Sequence, residues 1–297
     1  MSVARISRKT RRQVKNTIVG YLFILPYLVL FSLFLVYPII QGAVMSLSKR
    51  DVFGFDVEFV GLGNYAALLK DTTFWTALRN TAVFSVMDVP GNVILALLIA
   101  LLLNRAFRGR ELALSLFYMP KLLSISVLAF IWLWLYEPQW GLLNYYFSRI
   151  GIAPISWLKE PRIALPAIVV ASIWWTVGNN VLLFLAGMRQ ISEDVYEAAE
   201  IDGATGAKAF FSITLPLLRP TSLFIVVMQV IASFQIFGQV YIMTGGGPAG
   251  STRVLVQYIY EAGFRYFEMG YAAALSYVLF FIVMVFTALQ FIVMKER

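Results

Sequence analysis

Long apolar stretches, each closed by charged residues, divide this chain along most of its length. A helix that crosses a bilayer needs about 20 mostly apolar residues, because each adds about 1.5 Å across a hydrocarbon core of about 30 Å. Six stretches meet that requirement. Residues 16–48 contain no Asp, Glu, Lys or Arg, and their apolar centre is 18–40. Residues 80–103 are interrupted only by Asp88, and 113–136 only by Lys121. The fourth stretch is 163–186; the fifth, 221–243, stops before Gly245, Gly246, Gly247 and Pro248, which punctuate a helix. Residues 271–294 make the sixth. The pattern predicts an all-α polytopic membrane protein with six spans in residues 18–294, preceded by a basic segment, 1–17, and carrying one long loop at 187–220.

Six spans put both termini on one side, and the excess of Lys and Arg in short connections marks that side as cytoplasmic. With the N terminus inside, fifteen of the 24 basic residues are cytoplasmic, including Arg5, Arg8, Arg105, Arg108, Arg189, Lys208 and Arg219. Nine are external, among them Lys49, Arg50, Lys70, Arg79 and Arg253, and external acids nearly cancel them. The net charge of +8 therefore belongs to the cytoplasmic face, where contact with anionic lipid follows. Read as topology, this basicity does not call for nucleic acid. The first apolar run exceeds the 7–15 residues of a signal-peptide core and lacks a small-residue cleavage site, so it reads as an uncleaved first span.

Composition narrows the chemistry. Only 13% of residues are charged, against about 25–35% on a water-exposed surface, so a soluble enzyme is excluded. The chain has no Cys and no His, which removes disulfides, thiol nucleophiles, imidazole bases and Cys/His metal sites. No cofactor is expected. An intramembrane enzyme would need a paired acid or a nucleophile and base that the spans do not contain.

The loop is the most informative segment. Ser192 suits an N-cap, with Glu193 and Asp194 at the positive end of the following helix dipole. The helix should bend at Gly203, and Pro216 and Pro220 should limit a second one. By these residues alone the loop is equally an ordered connection between two spans. The spacing adds something further: Glu197, Ala198 and Ala199, then Asp202, Gly203 and Ala204, then Ile213, Leu215 and Pro216. This pattern resembles the EAA loop of permease subunits of ATP-binding-cassette importers. The resemblance extends along the chain to the carbohydrate type, the maltose and glycerol-phosphate permease class. Gly61, Leu62, Gly63, Asn64 and Tyr65 after the first span, Arg79, Asn80 and Thr81 opening the second, and Thr244, Gly245, Gly246, Gly247 and Pro248 after the fifth are similar to that class, most of all to its first permease partner. The large external insertion of some maltose-type subunits is absent.

The resemblance implies a type I importer permease fold in the inner membrane. It also implies a second homologous permease, an ABC ATPase dimer that receives the EAA helix, an extracytoplasmic solute-binding protein and a small carbohydrate substrate. The chain itself has no GxxxxGK[ST] loop to cradle phosphates, so ATP hydrolysis is assigned to a partner.

Candidate pathway residues come from polar groups inside spans, which are expensive in hydrocarbon and usually face the bundle or a cavity. Thr81, Ser85, Asp88 and Asn92 share one face of the second span at spacings of 4, 3 and 4. Ser172, Trp175 and Asn179 share a face of the fourth, and Ser222, Gln229 and Ser233 one of the fifth. Of these, Asp88, Asn92, Trp175, Asn179, Gln229 and Ser233 are the pathway candidates, since amides and a carboxylate suit sugar hydroxyls and an aromatic face suits a sugar's C–H surface. Interhelical packing explains such stripes equally well. Asp88 could pair with Arg79, Gln235 and Gln239 could face a partner permease, and Lys121 is expected to snorkel to the cytoplasmic surface. An alternative function is an ion-coupled secondary carrier working through Asp88.

Overall fold

The structure is a computed structural model and describes residues 2–50, 57–105 and 107–295, with the side chains of 2–15, 18 and 293–295 outside the described set. The basic side chains that give the N-terminal segment its charge, and those of Lys295 and Arg297, therefore lie outside the described residues.

Helix α1 (Ser2–Phe31) runs through a π-helical turn (Ser32–Val36) into α2 (Tyr37–Ser46). Two short antiparallel strands, β1 (Ser48–Arg50) and β2 (Val57–Phe59), pair Ser48 with Phe59 and Arg50 with Val57. After α3 (Gly63–Lys70) comes the central helix, α4 (Thr72–Asn104). Asp71 caps it, accepting from the Thr73 N–H at 2.8 Å, so the helix begins before Arg79 rather than at it. Pro90 lies inside α4 without ending it.

The third apolar stretch is not one helix. Helix α5 (Arg110–Tyr118) and a 3₁₀ turn (Met119–Leu122) meet α6 (Ile125–Leu135) at 102°. Pro120 opens the 3₁₀ turn, and Ser124 restarts the chain by accepting from the Val127 N–H, so local chemistry breaks a stretch that hydropathy reads as continuous. Helix α7 (Leu142–Arg149) precedes α8 (Ala164–Met188). The loop folds as α9 (Glu193–Ile201), α10 (Gly206–Ala209), a π turn (Phe210–Thr214) and α11 (Leu215–Leu217). The fifth stretch is also divided: α12 (Arg219–Phe234) ends at Gln235, and α13 (Gly238–Met243) follows. Helix α14 (Leu255–Tyr260) and a π turn (Glu261–Arg265) lead to α15 (Met269–Lys295). Four helical segments among the described residues are long and apolar enough to cross a membrane, or six if each of two bent helix pairs is one span.

Helix α4 sits between α8 and α12. Small residues allow the approach: Ala96 and Ala100 on α4 are fully buried where it meets α8 and α12. At Gly178 an added Cβ would strike the Phe117 carbonyl, which fixes how closely α5 crosses α8. One apolar cluster joins Leu103, Val181, Phe184, Leu218 and Ile225, where α4, α8 and α12 meet beside the 189–218 loop. Another joins Phe74, Leu255, Ala272 and Leu275 at the opposite end.

At that opposite end the short motifs act as ties. Asn64 Nδ2 donates to the carbonyls of Ser46 and Ser48 at 2.8 and 3.0 Å, holding the strand pair on α3. Asn80 Nδ2 donates to the carbonyls of Gly250 and Arg253, each at 2.9 Å, and Thr81 Oγ1 accepts from the Leu255 N–H at 2.9 Å. The glycine-rich segment after α13 is thereby clasped to α4. Asp71 accepts from the hydroxyls of Tyr258 and Tyr271, linking α4, α14 and α15. Burial pushes its carboxyl up, but these hydrogen bonds outweigh burial and hold it below the usual carboxylate range.

Candidate functional site

The polar face of α4 is built as the spacing suggested, with Thr81, Ser85, Asp88 and Asn92 all buried. Each meets a different neighbour. Ser85 Oγ lies 2.6 Å from Ser233 Oγ on α12. Gln229 Nε2 donates to Asp88 Oδ2 at 2.7 Å. Asn180 Nδ2 on α8 donates to Asn92 Oδ1 at 2.7 Å and to Gln229 Oε1 at 3.0 Å, and Asn92 Nδ2 donates to Thr176 Oγ1 at 2.7 Å. One hydrogen-bonded network therefore ties three helices together through side chains within the apolar stretches.

Beside this network is a cavity of about 560 Å³, large enough for a small ligand. Asp88, Lys121, Trp175, Gln229 and Ser233 line it, together with Gln235, Ile236, Phe237 and Gly238 from the α12–α13 break and Ile125 from the start of α6. Both broken helices thus open onto the cavity, as expected of irregular backbone within a membrane. Asp88 Oδ1 and Ser172 Oγ are buried without hydrogen-bond partners among the described residues.

Of the pathway candidates, Asp88, Trp175, Gln229 and Ser233 line this cavity, and Asn92 lies behind it in the network. Asn179 is exposed on the flank of α8, and its neighbour Asn180 holds the buried position. Thr176 and Asn180 follow Ser172 at spacings of four, a face as legible as the one through Trp175 and Asn179, but rotation about the helix had to choose between them. Three expectations change. Asp88 does not pair with Arg79: among the described residues the one ion pair is Arg253 Nε with Glu261 Oε2, at 3.0 Å. Gln239 is buried at the cavity, whereas Gln235 is exposed, so the two do not form one exposed polar face. Lys121 does not snorkel to the surface, because the 3₁₀ turn directs it into the cavity, with Nζ 4.1 Å from the centroid of the Trp175 ring.

The loop at the end of the bundle forms a second site. Ser192 occupies the N-cap of α9 with extended backbone but makes no side-chain capping bond. At the other end Gly203 has φ +72°, its N–H donates to the Glu200 carbonyl at 3.0 Å, and the Ala204 N–H donates to the Ala199 carbonyl at 2.8 Å. This paired pattern around a left-handed residue is the Schellman cap, which explains the Gly. Ala199 is buried, whereas Glu197, Ala198, Asp202 and Gly203 are exposed, Ala204 is half-buried, and Ile201 is 88% exposed. Ile213 and Leu215 are half-buried and Pro216 is exposed. Tyr196 and Thr214 hydroxyls, 3.1 Å apart, fasten α9 to the return segment.

Residues 92–295 match the family described as the binding-protein-dependent transport system inner membrane component. The chain is 36% identical over 285 residues to the sn-glycerol-3-phosphate transport system permease protein UgpA of Agrobacterium fabrum, covering 95% of this chain and 96% of the relative. It is also 36% identical over 284 residues to the lactose transport system permease protein LacF of Rhizobium radiobacter, covering 94% of each. In fold it resembles a chain of a bacterial alginate ABC transporter in complex with an alginate pentasaccharide-bound periplasmic protein, with a TM-score of 0.83, 23% identity and 94% of each chain covered. These are transport permeases and not secondary carriers, so the ion-coupled alternative built on Asp88 is set aside. The chain belongs to the binding-protein-dependent transport system inner membrane component family.

Proposed function

We propose that this permease subunit carries a sugar or related polyol inward, powered by an ABC ATPase dimer that docks on the 192–220 loop. An extracytoplasmic binding protein delivers the cargo and a second homologous permease completes the pathway. The observation that carries this reading is the form of α9: a capped helix that leaves Glu197, Ala198, Ile201 and Asp202 exposed beyond the end of the bundle. An isolated connection has no use for such a surface, while a partner subunit does. The loop joins α8 and α12 directly, and those helices carry Trp175, Asn180, Gln229 and Ser233. Movement imposed on α9 is therefore transmitted to cavity walls.

In this reading the loop and both termini are cytoplasmic, as the distribution of Lys and Arg supports. The cavity supplies a carboxylate, amides and an aromatic face, the mixture that polyhydroxy cargo requires. Asp88, Asn92, Trp175, Asn179, Gln229 and Ser233 form or support the pathway, with Asn179 facing the second permease. Relatives support the cargo class but leave its charge open, since their names include lactose and trehalose/maltose as well as glycerol-3-phosphate and sulfoquinovosyl glycerol. The test is ATP-dependent uptake by the assembled complex carrying Glu197→Lys together with Gly203→Asp. Loss of uptake and weaker retention of the ATPase are expected; wild-type values for both would reject the coupling role.

A further inference from the structure

Asp88 and Lys121 are the two charged side chains that line the cavity. They are not paired with each other, and no carboxylate among the described residues lies within ion-pair distance of Lys121. The indole N–H of Trp175 donates to the Leu123 carbonyl at 3.2 Å, so the ring is fixed, and the Lys121 ammonium is held over its face. Lys121 is half-buried, and contact with a ring quadrupole offsets only part of the cost of drawing its ammonium from water, so a counter-charge in the cavity stabilises it. The opposite requirement exists at Asp88, which lines the same cavity. Asp88 is held through Oδ2 by Gln229, and its other oxygen has no partner among the described residues.

We infer that Lys121 is a specificity residue that receives the anionic group of the cargo, so that the pathway takes an acidic sugar or polyol bearing a carboxylate, phosphate or sulfonate. This rests on the reading of the cavity as the cargo pathway. Asp88 repels the anionic end and accepts from a hydroxyl at the other, and the two charges together orient the cargo. Lys121 reaches this position only because the chain breaks between α5 and α6.

The test uses proteoliposomes holding the complete transporter, with ATP inside and the binding protein outside. Matched probes are galacturonate with galactose, lactobionate with lactose, and sn-glycerol 3-phosphate with glycerol. The acidic member of a pair should accumulate in preference. Lys121→Met should raise its apparent KM by about tenfold or more, the loss of one charge-assisted hydrogen bond, while Lys121→Arg stays near wild type. Co-purification of all subunits checks that both variants assemble. Preference for neutral probes, or a wild-type KM for the acidic probe in Lys121→Met, would overturn the inference while leaving sugar import intact. No ATP-dependent accumulation of any probe by the wild-type complex would instead overturn the import reading on which it rests.

Discussion

A single amide, that of Asn180, bonds to both α4 and α12 from its place on α8. Its removal by Asn180→Ala strands the carbonyl oxygens of Asn92 and Gln229, both in buried side chains, and each stranded group costs about 1–3 kcal/mol. The variant should lower the thermal unfolding midpoint of the purified complex by several degrees. Asn179→Ala, at a position exposed in this chain, should lower that midpoint less than Asn180→Ala does and reduce uptake; fluorescence-monitored melting alongside transport separates the two. The sequence carries the polar face of α4 plainly, because four residues at helical spacing leave no choice of side. It does not distinguish Asn179 from Asn180, since neighbouring positions on a helix differ by about 100° and both phases have polar company.

Two apolar stretches break where they pass the cavity, between α5 and α6 and between α12 and α13, and both breaks contribute to its lining. Pro120, Ser124 and Gly238 are visible in the sequence as breakers or caps. Hydropathy conceals their effect because it registers composition and not direction, so 113–136 and 221–243 read as straight spans. The π-helical turns in the chain likewise leave no hydropathic trace. By contrast, the Gly203 bend follows from local chemistry alone and is legible. Packing between elements depends on close approach, as where Gly178 meets the backbone of Phe117 and Tyr118. Gly178→Ala has to push α5 away from α8, an overpacking cost of about 1–3 kcal/mol. The expected result is a lower midpoint for the complex; an unchanged midpoint would show that the crossing is loose.

The whole molecule has two unlike ends and an unfinished flank. Residues 19–46 form an apolar helical segment most of whose large apolar side chains are exposed, a surface suited to lipid or a companion helix and unsuited to water. One end is tied down by Asn64, Asp71 and Asn80; the other projects α9, whose most exposed large apolar side chain is Ile201. The absence of native cysteine makes single-thiol probes unambiguous. The most direct test of coupling is a thiol-to-amine crosslink from Ile201→Cys to lysines of the neighbouring subunit (a maleimide–succinimidyl ester reagent) in the assembled transporter, in right-side-out and inverted vesicles. An adduct with the ATPase subunit is expected, forming only where the reagent reaches the cytoplasmic face. Labelling from the external face, or no adduct with the ATPase in an intact complex, would contradict the coupling role of α9.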